Sequence, residues 1–133
     1  MDDPSVLWLS LESVRADHTS LYGYNRQTTP YLESLSERSD ATKIDPMISA
    51  SMWTPASTAS LLTGTHMSTH QVGQDGKGEY PLPSSIKTLP NLLSDAGYQT
   101  ALFSTNPYIS SSTGLDQGFD YIDDVTLSKD NFS

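Results

Sequence analysis

The chain has 133 residues, of which 35% are hydrophobic, 16 are acidic, seven are lysine or arginine and none is cysteine. This length fits one domain or a piece of a larger one. The net charge of −9 argues against a nucleic-acid surface, which needs basic patches. The lack of cysteine excludes disulfides and thiolate zinc sites. Such an acidic balance, with few lysines, is similar to that of halophilic proteins, whose carboxylate-rich surfaces stay hydrated.

The apolar residues are too dispersed for a membrane segment. No apolar run approaches the roughly 20 residues that a spanning helix needs, and no basic N-terminal region precedes an apolar stretch. We therefore expect no membrane span and no signal peptide, which by default indicates a cytoplasmic protein.

Apolar runs and turn residues predict an alternation of strands and helices along the chain. Residues 6–11 are continuously apolar apart from one serine, which is typical of a strand buried in a parallel sheet. The elements expected next are a helix over 29–38, a weak strand over 41–45, a helix over 54–64, a loop over 68–85, a helix over 85–97, a strand over 98–103 and a loop over 114–124. This order indicates an α/β layered fold with a mostly parallel central sheet flanked by helices.

The first strand places an acidic residue at its carboxyl end. Strands joined through helices pair in parallel, so we expect residues 6–11 and 99–103 to be neighbours in one sheet. Glu12 follows the first of them directly, and ligands of open α/β sheets bind at the carboxyl ends of strands. Glu12 is therefore a candidate metal ligand that converges with Thr54 at this edge, and a solvated carboxylate is the alternative.

The stretch from Trp53 to Gly64 places a hydroxyl group where a helix is expected to begin. Pro55 suits the first turn, since its missing N–H would have no intrahelical partner there, and Gly64 suits the residue just past the helix end. Thr54 would then be the N-cap, beside free N–H groups and a helix dipole that attract an anion. This stretch by itself favours a purely capping Thr54, and a nucleophile at an anion site is the alternative.

This stretch resembles the signature of the sulfatase family within the alkaline phosphatase superfamily. In that signature a Cys or Ser, then Pro, Ser and Arg, precede a Leu-Leu-Thr-Gly helix end, which here is residues 61–64. The alignment places Thr54 at the nucleophile position and Thr58 at that of the arginine. Without Cys or Ser at the first position, the resemblance points away from the formylglycine route. It points to relatives with a Thr nucleophile that cleave or transfer phosphoesters, such as nucleotide pyrophosphatases and phosphoglycerol transferases of the lipoteichoic acid synthase type.

Other parts of the chain are similar to the same family. The block that begins at Glu12 continues with Leu-Tyr-Gly-Tyr at 21–24 and Thr-Thr-Pro at 28–30, and in the family it opens with Asp residues that bind metal. Glu12 replaces the first of these, as in the phosphoglycerol transferase branch. Residues 93–101 match the family's Leu-x-x-Ala-Gly-Tyr-x-Thr-Ala turn. The resemblance implies an alkaline phosphatase-like fold, a divalent metal ion held by Glu12 and Thr54, and a small sulfate or phosphate ester as substrate.

Two further residues are candidates for substrate binding. Asn106 lies just past the strand expected over 98–103, at the same sheet edge as Glu12, where its side chain could donate to an ester oxygen. A turn asparagine before Pro107 is the alternative, which the residues favour. Arg15 could contact the anion, and the alternative, a pairing with Asp17 that shapes the loop, is favoured.

The histidines and the C-terminal acidic residues receive different expectations. His70 occupies a position where the family often has a histidine close to the site, whereas His18 and His66 are expected on the surface. Four aspartates cluster near the C-terminus, at Asp116, Asp120, Asp123 and Asp124. They lack the glycine and glutamate spacing of an EF-hand, so we expect a solvated acidic surface.

The resemblance runs from Val6 to Asp124, but it covers the N-terminal part of the family domain. Complete members are much longer, and an Asp-His pair and further histidines in their second half finish the metal site. We therefore interpret residues 1–133 as the N-terminal portion of a sulfatase-like metal-dependent hydrolase or transferase, truncated or missing a C-terminal half. The alternative is a catalytically inactive fragment, or a relative that binds a partner chain.

Overall fold

The computed structural model describes residues 4–74 and 80–124 of the chain. Its residues fall into two compact units, Met1–Met47 and Ile48–Ser133. The described residues form four α-helices, two short 3₁₀ helices and two strands. No helix in this part of the chain is long and apolar enough to cross a membrane.

In the first unit a turn-rich segment leads into one helix. The helical elements are two 3₁₀ helices and α1, at Ala16–His18, Ser20–Tyr22 and Pro30–Ser36. Buried Ser20 ties them together, because its N–H donates to Thr28 Oγ1 at 3.0 Å and its Oγ accepts the Thr29 N–H at 2.9 Å. The helix predicted over 29–38 is confirmed, with slightly narrower bounds.

Both strands predicted in the first unit are wrong. Residues 6–11 have no strand structure, and the side chains of Leu7 and Leu9 are 90% and 71% exposed. The expected pairing of residues 6–11 with 99–103 fails with it. The apolar run correctly marks residues that favour burial, but a strand also needs a hydrogen-bonded neighbour. The sheet in the described part of the chain contains only the two strands of the second unit. Residues 41–45 are irregular as well.

The second unit contains three helices followed by two strands. Their bounds are Thr54–Thr63 for α2, Met67–His70 for α3, Leu89–Asp95 for α4, Ala101–Ser104 for β1 and Tyr121–Asp124 for β2. The strands pair in parallel, with Ala101 opposite Tyr121, which agrees with the α/β class. The predictions of α2, α4 and β1 are confirmed. Two elements fall where loops were predicted: α3, a single turn too short to show periodicity, and the aspartate-containing β2.

The helix α4 begins four residues later than predicted, because Thr88 caps it. The Thr88 Oγ1 accepts the Asn91 N–H at 3.3 Å, and the Asn91 side chain accepts the Thr88 N–H at 3.0 Å, which is the reciprocal arrangement of a capping box. The Thr88 hydroxyl also contacts the Gln117 carbonyl oxygen at 2.8 Å. This contact holds the start of α4 against the segment before β2.

A small apolar cluster joins these elements. Its buried members are Ala59, Val72, Leu82 and Leu115, with Leu62, Ile86 and Ile109 packed against them. The cluster combines residues of α2 with residues from the segments around α3, α4 and β2. The core of the second unit therefore lies against the helix that carries Thr54.

Reciprocal hydrogen bonds between Thr100 and Asp120 hold the start of β1 beside that of β2. The Thr100 N–H donates to Asp120 Oδ2 at 2.9 Å, and the Asp120 N–H donates to Thr100 Oγ1 at 3.0 Å. Asp120 is exposed, as expected for an acidic surface, and its carboxylate in addition accepts the Thr100 N–H. Composition shows the charge of this residue, but its partner lies 20 residues away along the chain.

Candidate active site

The candidate nucleophile Thr54 is the first helical residue of α2. Trp53 is extended, with φ −127° and ψ 135°, and its carbonyl oxygen accepts the Ser57 N–H at 3.0 Å. Trp53 is therefore the N-cap, and the prediction of Thr54 as the cap is wrong by one residue. Half-buried Thr54 lies in the first turn, where backbone N–H groups without intrahelical acceptors and the helix dipole favour an anion.

Small buried residues anchor this end of α2. Pro55 is buried, and Ala56 and Ala59 are only 1% and 0% exposed. At the other end Gly64 adopts the left-handed conformation, with φ +67°, and its N–H donates to the Ser60 carbonyl at 2.9 Å. This is the glycine-terminated helix end that the sequence predicts. The hydroxyl of Thr54 is thus carried by a helix fixed to the core of its unit.

Buried His70 contacts the middle of α2. Its side chain is 0% exposed, its Nε2 lies 2.9 Å from Ser60 Oγ, and its Nδ1 accepts the Val72 N–H at 3.1 Å. Because Nδ1 is an acceptor, the ring proton of the neutral form resides on Nε2 and is donated to Ser60. Burial lowers the pKa of His70. The imidazole is therefore neutral near pH 7 and joins α3 to α2, while its closeness to a substrate stays a prediction.

Asn106 forms the turn that follows β1. Its Oδ1 accepts the Tyr108 N–H at 2.9 Å, and its own N–H donates to Ser104 Oγ at 3.1 Å. These contacts match the turn role weighed as the alternative. They do not test the substrate-binding role, which stays a prediction.

An aromatic contact links this turn to the start of α2. The rings of Trp53 and Tyr108 meet edge to face, with centroids 6.3 Å apart and an interplanar angle of 88°. Trp53 immediately precedes Thr54, and Tyr108 is hydrogen-bonded to Asn106. Neither aromatic residue was predicted from the sequence to belong to the site. Their sequence positions could have indicated them, because Trp53 precedes the predicted nucleophile and Tyr108 lies two residues after the predicted ester donor.

In the first unit, Arg15 and Asp17 form a two-point ion pair. Arg15 Nε and Nη2 donate to the two Asp17 carboxylate oxygens at 3.0 and 2.6 Å. The hydrogen bond from Arg15 lowers the pKa of Asp17. This pairing is the alternative considered for Arg15, so it engages the guanidinium locally, and anion contact stays a prediction. Glu12 is exposed and lies in a turn whose next residue, Ser13, has φ +56°.

The acidic and imidazole side chains of the described residues do not converge on a metal site. Across residues 4–74 and 80–124 no group of three or more His, Cys, Asp or Glu side chains is arranged to hold a metal ion. Glu12 belongs to the first unit and Thr54 to the second. The described residues therefore do not form a complete metal site, and ligation by Glu12 and Thr54 stays a prediction.

Helices that precede a parallel strand pair define an α/β protein, and α2 presents a threonine at its start. The chain matches the model of the Sulfatase family over residues 4–133. It belongs to the sulfatase family, whose fold is of the alkaline phosphatase-like α/β type. The two parallel strands described here are consistent with part of that fold.

Two curated relatives are similar to the chain over a limited region. The "Putative transferase YhbX" of Escherichia coli strain K12 is 34% identical over 89 residues, which cover 67% of this chain and 14% of the relative. The protein of the same description from Escherichia coli O157:H7 shows the same values. The match thus spans about one seventh of the length of these relatives. No solved structure matches the chain.

Proposed function

We propose that the chain carries the nucleophile-bearing part of a sulfatase-family hydrolase or transferase that acts on phosphate or sulfate esters. The observation that carries this proposal is the position of Thr54 in the first turn of α2, anchored by buried Pro55 and Ala56. Membership of the sulfatase family supports ester chemistry. The relatives from Escherichia coli, described as putative transferases, favour group transfer over simple hydrolysis.

In the proposed reaction the Thr54 hydroxyl attacks the phosphorus or sulfur atom of the ester. A bond forms between Thr54 Oγ1 and that atom, and the bond to the ester's organic oxygen breaks. The hydroxyl proton ends on the departing alcohol, so the products are a Thr54 ester and a free alcohol. An acceptor alcohol or water then takes the group from Thr54. The dipole of α2 and the Ala56 N–H stabilise the anionic oxygens in both steps, and Asn106 donates to an ester oxygen.

Sulfatases in general use a divalent metal ion. The described residues do not form a complete site for one. The proposed metal ligands remain Glu12 and Thr54. The proposed additional contact to the anion remains Arg15.

Anion binding at α2 is the direct test on this chain. Inorganic phosphate and sulfate are titrated into the protein while the backbone N–H signals are followed by NMR. Saturable shifts are expected at Thr54, Ala56 and Ser57, and Thr54→Val should weaken binding because it removes the hydroxyl at nearly constant shape. Thr58→Val, one turn further along α2, is the matched control. Shifts spread evenly over the surface, or equal binding by both variants, would contradict the proposal.

A second candidate function is that of a relative that binds a partner chain without catalysis. The observation that favours it is the exposed apolar run in the first unit, where Leu7 is 90% and Leu9 71% exposed. Such contiguous exposed apolar surface marks interaction sites. Loss of self-association or partner capture in Leu7→Ser and Leu9→Ser variants, with phosphate binding absent in the parent chain, would favour this function over ester chemistry.

A further inference from the structure

The rings of Trp53 and Tyr108, called here the aromatic corner, contact each other, and Trp53 immediately precedes Thr54 in the chain. Trp53 is half-buried, and Tyr108 is 44% exposed. Their rings are perpendicular within 2°, since the interplanar angle is 88°. Edge-to-face packing of this kind leaves parts of both rings available to a third flat group.

The indole of the corner is held in place by its surroundings. A Cβ atom at Gly73 would lie 3.3 Å from both Cε3 and Cζ3 of Trp53, so the turn after α3 packs tightly against the ring. Trp53 also has a fixed backbone, because its carbonyl oxygen begins the hydrogen bonding of α2. A rigid aromatic side chain loses little conformational freedom when a ligand binds.

The backbone of Tyr108 is held by the second predicted site residue, Asn106. The Tyr108 N–H donates to Asn106 Oδ1 at 2.9 Å, which makes Tyr108 part of the Asn106 turn. The aromatic corner therefore joins two segments, one that carries Thr54 and one that carries Asn106. Both rings thus lie on segments that carry proposed site residues.

We propose that Trp53 and Tyr108 are specificity-determining residues that contact the organic group of the ester and favour a group with a flat apolar face. This inference rests on the proposed function, because it takes the anion to bind at the start of α2. Neither ring takes part in bond making or breaking. Their contribution is selective affinity for the organic group.

The test compares phenylphosphonate with methylphosphonate, two stable anions that differ in their organic group. The Trp8→Phe chain is used so that Trp53 is the remaining tryptophan, since the chain has two. Binding is followed by Trp53 fluorescence. We expect phenylphosphonate to bind about tenfold more tightly, the upper end of what one aromatic contact contributes.

Variants of the exposed tyrosine identify the source of that preference. Tyr108→Leu should reduce the preference to about twofold or less, whereas Tyr108→Phe, which keeps the ring, should retain it. Tyr80→Leu is the matched control, because Tyr80 is also exposed, at 57%, and lies in the same unit. An unchanged preference in Tyr108→Leu would overturn the inference.

The outcomes separate this inference from the proposed function. Equal binding of the two phosphonates by the Trp8→Phe chain overturns the role of the aromatic corner alone. Binding of neither phosphonate, and of no inorganic phosphate, overturns the anion site and with it the inference.

Discussion

Protonation of His70 should destabilise the protein below neutral pH. The neutral ring accepts the Val72 N–H through Nδ1 and contacts Ser60 through Nε2, and protonation of Nδ1 removes the acceptor. Burial lowers the pKa of His70 below its ordinary 6.5, so the unfolded chain binds the proton more readily than the folded chain. The stability that depends on neutral His70 is thus present above about pH 6.5 and is lost as the pH falls toward the folded pKa.

The loss of stability at low pH is limited because only one group, His70, is considered to bind a proton. One group changes the free energy of unfolding by at most about 1.4 kcal/mol per pH unit, so the loss between about pH 6.5 and pH 5 is at most about 2 kcal/mol. Removing the ring has a separate cost at every pH. His70→Leu leaves the N–H of buried Val72 unpaired, and with the lost hydrogen bonds this should cost about 2–4 kcal/mol.

The assay is urea unfolding at several pH values in molar KCl, followed by circular dichroism. His70→Asn provides a side-chain oxygen as acceptor near the Nδ1 position and cannot titrate, so its stability should be less dependent on pH between about 5 and 6.5 than that of the parent. His66→Asn, which removes an exposed imidazole, is the matched control and should follow the parent. Identical pH profiles for the parent and His70→Asn would refute the reasoning.

Three further predictions concern activity, charge and packing. The purified chain should show no turnover of aryl sulfates or phosphodiesters above background, even with added Mn²⁺, Mg²⁺, Ca²⁺ or Zn²⁺. The reason is that the described residues hold no complete metal site. Robust turnover that Thr54→Ala abolishes would contradict this prediction. The net charge of −9 opposes compaction of the chain. Molar KCl shortens the screening length to about 3 Å and should therefore raise the circular dichroism signal of helix and sheet. A cooperative melt of the monomer that is unchanged from low to molar KCl would count against this prediction. Gly118→Ala should cost more stability than Gly97→Ala in urea unfolding. Both glycines have φ near +90°, but of the two only a Cβ at Gly118 would collide with a backbone atom, the Asn91 nitrogen. Equal losses of stability would contradict this prediction.

Helix ends were predictable from the sequence wherever one residue determines them. Pro55 and Gly64 bracket α2, and Pro30 begins α1. Proline restricts its own backbone, whereas glycine readily adopts the left-handed conformation of a helix end, so both signals are local and need no knowledge of the rest of the chain. The candidate nucleophile could be located for the same reason, although the cap proved to be Trp53 and not Thr54.

Contacts between distant residues could not be predicted in this way. The role of Asp120 depends on Thr100, and the start of α4 is joined to Gln117, 29 residues beyond Thr88. The aromatic corner likewise depends on two segments 55 positions apart, from Trp53 to Tyr108. Composition and periodicity report what a residue prefers, but its partner is chosen by how the chain folds back.

The sequence by itself determined the family and the helix that carries Thr54, because both depend on short patterns of residues. Tertiary structure alone decided that residues 6–11 form no strand among the described elements, since a strand exists only with a hydrogen-bonded neighbour. It also decided the state of His70: full burial between Ser60 and Val72 keeps this imidazole neutral, whereas His18 and His66 are exposed. Burial and pairing are properties of the folded chain, and a single residue type does not specify them.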